Sequence, residues 1–261
     1  HRIDIMTGPI CIIPARMGSS RFPGKPLKPM LGLALILHIH DRCRLYDGLS
    51  HVAVATCDAE IYDAVIAHGG EAIMTADSHE RCTDRVQEAV AARYPDAQDD
   101  TVVVMVQGDE VLVSPIMIED VVAAQNRSGA PAINLGSRLY RPEDHDDPNT
   151  VKIVAAPDGR VLYFSRAAIP SRARTATVPM YQQTGIMAFT WGFLKRFSAL
   201  QPTPLEDIES VDMLRVLEHG HALYAVFTET ETIGIDTQQD LTRGEGLLRD
   251  DPLTRQYLEL S

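Results

Sequence analysis

The chain has 261 residues, 45% of them hydrophobic, with 24 Lys and Arg against 36 Asp and Glu for a formal charge of −12. That is enough apolar side chain to bury the core of one large domain or two small ones. The acidic balance argues against a general nucleic-acid or anionic-membrane binder. No apolar run reaches the roughly 18 residues that a membrane helix needs. Cys11, Cys43, Cys57 and Cys82 lie far apart, without CxxC or zinc spacing, as expected of reduced thiols in a soluble cytoplasmic protein.

In the first half, β-branched apolar runs alternate with helical patterns. Residues 9–15 read as a strand, 33–45 as a helix, 51–56 (HVAVAT) as a strand and 59–68 as a helix stopped by Gly69-Gly70. A short strand over 72–75, a helix over 84–93 and a strand over 101–106 (TVVVMV) follow. Apolar strands separated by helices predict a parallel sheet covered on both faces. The second half changes character. Two strand-like runs over 151–166 flank Pro157-Asp158-Gly159, a hairpin signal. Residues 222–228 read as a further strand, 205–218 and 237–248 as helices, and the stretch after Pro252 as a C-terminal helix. The segment RPEDHDDPN (141–149) reads as an acidic loop between two lobes. One domain is expected over 7–261, in two halves over about 9–140 and about 141–250.

Against the acidic background, the loop after the first strand stands out. PARMGSSRFPGKPL (14–27) carries Arg16, Arg21 and Lys25, with Lys28 just beyond, around Gly18, Ser19, Ser20 and Gly24. In open parallel sheets, ligands bind beyond the carboxyl ends of the strands. Glycines there let backbone N–H groups approach phosphates, and cations neutralise them. The spacing is neither GxGxxG nor GxxxxGK[ST], which disfavours a dinucleotide-binding oxidoreductase and a P-loop protein alike. A solvated turn with ordinary surface cations is the bland alternative. VQGDE (106–110) ends the most apolar strand: Gln107 can hydrogen-bond a base or sugar, and Asp109 can share Mg²⁺ with phosphate oxygens. Asp236 in IGIDTQQD (233–240) is either the N-cap of the next helix or a second carboxylate for that metal. Together these features suggest nucleotidyl transfer, which depends on positioning and charge stabilisation and needs no protein nucleophile.

Five stretches, IIPARMGSSRFPGKPL, VQGDE, NTVKIV, LYFSRAAIP and IGIDTQQDL, stand in an order and at intervals that resemble the 3-deoxy-manno-octulosonate (KDO) cytidylyltransferases, or CMP-KDO synthetases, over about residues 9 to 248. The resemblance implies a nucleotide-diphospho-sugar-transferase-like, Rossmann-like α/β fold. Its sheet would be mixed but mainly parallel, with helices on both faces and a smaller β-rich acceptor and dimerisation lobe. It also implies Mg²⁺-dependent transfer of CMP from CTP to a sugar acid with release of pyrophosphate, by a cytoplasmic homodimer. By the same resemblance Arg16, Ser19, Ser20, Arg21 and Lys25, with Ala15 beside them, would hold the CTP triphosphate. Gln107 would lie near nucleotide and acceptor, and Asp109 and Asp236 would ligate Mg²⁺. Arg166 would face the acceptor acid, an anion that a guanidinium binds through both oxygens. UTP stays open as the alternative nucleotide.

The departures from the family pattern gather on the acceptor side. HERCTDR (79–85) stands for His-x-Ser-Gly-Thr-Glu-Arg, which brings Arg81 and Cys82 in beside Arg85. QTGIMAF places Gln183 for a His and Met187 for a Tyr, and Asp212-Met213 replaces Glu-Gln. Arg81, Arg85, Gln107, Arg166, Gln183, Met187 and Asp212 are therefore the expected acceptor-side residues. Fewer hydroxyl partners imply an anionic acceptor less hydroxylated than KDO, either another sugar acid or a small phosphonate or phosphate ester. A divergent enzyme acting on KDO itself is the alternative, and a non-catalytic nucleotide-binding regulator is disfavoured by the presence of Lys25, Asp109 and Asp236. Cys82 shows no activating base. His79 and His145 read as exposed loop histidines, and Glu143, Asp144, Asp146 and Asp147 as a solvated acidic loop. Trp191 is expected between layers, and Met30, Met74, Met105 and Met117 as core filler.

Overall fold

The computed structural model describes residues 8–18, 21–175 and 179–259. In chain order the elements begin with β1 (Ile10–Ala15), a 3-10 turn (Lys25–Leu27), β2 (Pro29–Met30), β3 (Leu33–Ala34), α1 (Leu35–Arg44), β4 (His51–Thr56), α2 (Ala59–Ala67) and β5 (Glu71–Met74). Then come α3 (Cys82–Arg93), β6 (Val102–Val106), α4 (Pro115–Ser128), β7 (Ala132–Leu139) and α5 (Pro142–Asp146). The chain continues through β8 (Lys152–Ala155), β9 (Val161–Ser165), β10 (Met180–Thr190), α6 (Trp191–Ala199), α7 (Pro204–Glu209), α8 (Met213–Glu218), β11 (Leu223–Thr228) and α9 (Gln238–Asp250), ending in a 3-10 turn (Pro252–Gln256).

The main sheet runs in the order β11-β7-β10-β6-β1-β4-β5, with the β8–β9 hairpin attached to β10 where Gln182 faces Lys152. Strands β6, β1, β4 and β5 pair in parallel, as do β11 and β7. Strand β10 runs antiparallel between β6 and β7 and stitches the later strands onto the earlier ones. In β1 the period of two sends Cys11 and Ile13 into one core and Ile10 and Ile12 into the other, all four fully buried. Helices α1, α2, α4 and α9 cover the first face, and α3, α6 and α8 the second. The expected mainly parallel α/β sheet is what the chain forms; in place of the expected smaller β-rich lobe, β8 and β9 extend that same sheet from β10. Among the described residues no helix is long and apolar enough to cross a membrane.

Several expectations need correction. The helix over 33–45 starts two residues late, because Leu33–Ala34 pairs back with Pro29–Met30 around Leu31 (φ 49°) and Gly32 (φ 83°). The acidic loop holds the short helix α5, opened by Pro142 at its first turn. The helix over 205–218 is two helices, because Ser210 adopts the left-handed conformation (φ 52°) and ends α7. The last stretch is a 3-10 turn. Met74 is half exposed (49%), whereas Met30, Met105 and Met117 are buried. His145 is buried, with Nε2 at 2.9 Å from the Ile169 carbonyl. Four elements stand where no pattern was clear: α4, β7, β10 and α6. Ser114-Pro115 opens α4 and Gly129 (φ 61°) closes it; Thr190 caps α6 by accepting from Phe193 N–H.

Candidate active site

Beyond Ala15 the loop after β1 folds back on itself. Met17 N–H donates to Asp58 Oδ2 at 2.7 Å, and Gly24 N–H donates to the Met17 carbonyl at 3.1 Å. Lys25 then opens its 3-10 turn and sends its ammonium inward, with the side chain only 13% exposed. Its Nζ lies 3.5 Å from Asp109 Oδ2 and 3.1 Å from Asp236 Oδ1, and Arg21 Nη2 lies 3.0 Å from Asp236 Oδ2.

Two loops distant in sequence bring those carboxylates together. Gly108 lets the turn after β6 press on β1, since a Cβ there would sit 2.8 Å from the Pro14 carbonyl. Ile235 N–H donates to the Asp109 carbonyl at 3.2 Å, and Glu110 bridges to Gly234, so the segment before α9 is stitched to the Asp109 turn. Thr237, not Asp236, caps α9 by accepting from Asp240 N–H, which leaves the Asp236 carboxylate to face Lys25. Burial raises the Asp109 carboxyl above its usual range, Lys25 works against that, and Asp236 adds to it. The neighbouring Glu110 is buried against Gly185 N–H, and burial, then the charge of Asp109, pushes its carboxyl up to about 8. Among the described residues no group of three or more His, Cys, Asp or Glu is set to hold a metal ion. A pair of carboxylates suits Mg²⁺, which takes one or two of them and fills its shell with phosphate oxygens and water. The ammonium lying between this pair marks the space as one that accepts a cation.

Two cavities meet here. The first, about 350 Å³, is lined by Ala15, Arg16, Arg21, Lys25, Arg81, Arg85, Gln107 and Asp109 among others. The second, about 670 Å³, is lined by Asp236, Arg166, Gln183, Met187 and Asp212 among others. Arg21, Glu80, Arg81, Cys82, Gln107 and Asp109 line both, so the cavities share a wall. Every expected site residue within the described chain lies on one cavity or the other; Ser19 and Ser20 lie outside the described residues.

The acceptor-side residues differ in how free they are. Arg85 lines the first cavity and not the second. It is buried, one terminal nitrogen donating to Thr75 Oγ1 and the Ala76 carbonyl and the other without a hydrogen-bond partner among the described residues. Arg81 opens α3 and lies 4.0 Å from Glu206, a buried acid that Arg215 grips with two hydrogen bonds. Asp212 accepts from Thr83 Oγ1 at 3.2 Å; burial raises its carboxyl, opposed mainly by Arg81. Gln183 donates to Asn134 Oδ1 at 2.8 Å. Met187 is 1% exposed and pairs across the sheet with Met105, so it forms floor rather than a polar contact. Arg166 donates to the carbonyls of Glu209, Pro148 and Ser210.

Burial and nearby carboxylates push the Cys82 thiol up to about 12, in keeping with a cysteine that has no activating base. His79 is paired with Glu88, Asp144 with Arg141 and Asp146 with Arg172. Trp191 is buried in the core on the α3 side of the sheet.

Sequence reasoning missed the scaffolding. Between Gln183 and Met187 the β7–β10 register shifts, and Gly185 rests against Gln107, where a Cβ would come within 2.6 Å of the Gln107 Cβ. Fully buried Asn134 supports this irregularity, donating to the Leu135 and Thr184 carbonyls. Lys152 is fully buried, its ammonium shared by the carbonyls of Asp147, Thr150 and Arg166. A lysine inside the apolar run VKIV was the available signal.

The model of the cytidylyltransferase family matches residues 10–233. The chain is 39% identical over 236 residues to the 8-amino-3,8-dideoxy-manno-octulosonate cytidylyltransferase of Shewanella sp. (strain ANA-3), covering 90% of this chain and 96% of that one. It is 38% identical over 242 residues to the protein of the same name from Shewanella amazonensis, covering 92% and 98%. Among solved structures, that of CMP:2-keto-3-deoxy-manno-octonic acid synthetase complexed with CTP superposes with a TM-score of 0.85 at 31% identity, covering 93% of this chain and 99% of the other.

Proposed function

The chain belongs to the cytidylyltransferase family, and on that premise we propose that it transfers CMP from CTP to a small anionic acceptor, releasing pyrophosphate, with Mg²⁺ held by Asp109 and Asp236. The observation that carries this reading is Lys25 Nζ between those two carboxylates at the wall shared by a cation-lined cavity and a larger one. Arg16, Arg21 and Lys25 bind the triphosphate, with Ser19 and Ser20 expected beside them, while Ala15 and Gln107 border the nucleotide. Mg²⁺, when bound, supplies neutralisation of charge on the phosphate undergoing substitution. The residues around it position the acceptor's attacking oxygen and balance the charge on the departing pyrophosphate. We place the enzyme in the cytoplasm on its four free cysteines, and as a homodimer formed through β8, β9 and residues 167–170, where Leu162 is half exposed.

For the acceptor, the buried Met187 and the Gln183 amide engaged by Asn134 favour an anion with fewer hydroxyls than KDO, a sugar acid of another kind or a small phosphonate or phosphate ester. A second reading is an octulosonate acid, KDO or the 8-amino sugar that names the relatives; similarity along 90% of the chain and a second cavity of about 670 Å³ favour it. Pyrophosphate release from CTP and from UTP, with Mg²⁺ and with EDTA, against a panel of KDO, its 8-amino analogue, sialic acid, other sugar acids, phosphonates and phosphate esters separates the two. Turnover with an acid outside the octulosonates and little with KDO is the expected result. High kcat/KM with KDO alone overturns the first reading, and release without added metal overturns the Mg²⁺ assignment.

A further inference from the structure

An ammonium lies between the carboxylates of Asp109 and Asp236: Lys25 Nζ is 3.5 Å from one and 3.1 Å from the other. Arg21 holds the remaining oxygen of Asp236 at 3.0 Å. Two negative and two positive side chains thus neutralise one another. A Mg²⁺ bound to carboxylate oxygens at about 2.1 Å cannot share that space with an ammonium. Lys25 also lines the first cavity, so the group that must leave is one that can turn toward a phosphate.

Resting on the reading above, we propose that Lys25, with Arg21, is a stand-in cation that the metal displaces onto the triphosphate, so that metal and nucleotide each bind weakly alone and strengthen one another. The carboxylates hold the two cations away from the nucleotide until a dication replaces them. The cations in turn repel a dication until phosphates draw them off. By linkage, the factor by which metal tightens nucleotide binding equals the factor by which nucleotide tightens metal binding. Lys25 and Arg21 therefore tie the two events together, beyond neutralising the phosphates.

The test reads binding, not turnover. Mn²⁺ binding to the nucleotide-free enzyme is followed by electron paramagnetic resonance for the native chain, K25M and R21A. CTP binding in EDTA is followed by calorimetry for the native chain and D236N. With one positive charge removed from beside the metal position, K25M is expected to bind Mn²⁺ about tenfold more tightly than the native chain. R21A, on a half-exposed side chain, is expected to shift the same way by less. D236N, which loosens the hold on both cations, is expected to bind metal-free CTP about threefold more tightly, although it loses a metal ligand. The proposal is overturned if K25M and R21A bind Mn²⁺ no more tightly than the native chain, or if D236N binds metal-free CTP no more tightly. Failure of the native enzyme to bind CTP even with Mg²⁺ would instead sink the nucleotide reading.

Discussion

Asp58 lines neither cavity, yet its carboxylate fixes the backbone of the loop that does, by accepting the Met17 N–H at 2.7 Å. Its own N–H is held by Thr56 Oγ1 at 3.1 Å, which ties the acceptor, just ahead of α2, to the end of β4. A carboxylate accepting a backbone N–H is among the stronger neutral-to-ion hydrogen bonds, and an N–H left unpaired costs about 1–3 kcal/mol. D58A is therefore expected to raise KM for CTP by about tenfold with a smaller fall in kcat, because Arg16 and Arg21 lose their anchorage while Asp109 and Asp236 keep theirs. D58N retains an oxygen that can accept the same N–H and should recover most of the loss. Steady-state kinetics with CTP varied would check both, and equal effects of the two variants would count against a positioning role.

Among the elements, the β8–β9 hairpin and the α7–α8 corner are joined by one acid. Glu209, the last residue of α7, accepts from Arg166 N–H and Ser165 Oγ, both at 2.8 Å, and from Tyr163 OH at 3.3 Å. Its own carbonyl accepts from Arg166 Nε at 2.6 Å. Burial would push this carboxyl up, but the hydrogen bonds from Arg166, Ser165 and Tyr163 hold it below the ordinary glutamate value of 4.5. The folded chain therefore keeps Glu209 ionised where the unfolded chain has already taken up a proton. Its contribution to stability is full above about pH 4.5 and is lost as pH falls through the lower folded value. E209Q should flatten the fall of Tm below pH 4.5 and lower Tm at neutral pH by the loss of charge-assisted bonds, about 1–3 kcal/mol. Melting curves across the acid range would decide it; an unchanged slope in E209Q would place the acid sensitivity elsewhere.

At the scale of the whole molecule, β10 is the strand on which the rest depends, since it pairs with β6 on one side and β7 on the other. A fragment ending near residue 140 would contain β7 but neither β10 nor β11, the two strands that flank it. Such a fragment is expected to lack a cooperative unfolding transition, because β7 and α4 would have no sheet to complete. Circular dichroism during a denaturant titration would test this, and a sharp transition would mean that the first half folds alone. The same strand explains where the sequence stopped being readable. HVAVAT and VVVMV announce β4 and β6 because each residue suits a strand buried on both faces. MYQQTGIMAFT hides β10 because Gln183 and Gly185 serve a register shift whose partners, Asn134 and Gln107, are remote in sequence. The cations of the first loop and the acid of VQGDE could be found one by one in the sequence. That Asp236 completes them, rather than capping α9, follows from the bridge between Glu110 and Gly234. The burial of Lys152 and His145 depends on carbonyls brought in by folding.

The wall shared by the two cavities also bears on how a catalytic cycle ends. Arg21, Arg81, Gln107 and Asp109 face both chambers, so on the proposed reading the two ligands are neighbours and the molecule made by joining them would reach across that wall. Two substrates each give up freedom of motion on entering, whereas the joined molecule gives it up once, having parted with the contacts to the released pyrophosphate. Release of the joined molecule is then expected to be a slow step of the cycle, which a pre-steady-state burst of pyrophosphate would reveal. A stable mimic of that joined molecule is expected to compete with either substrate for the enzyme.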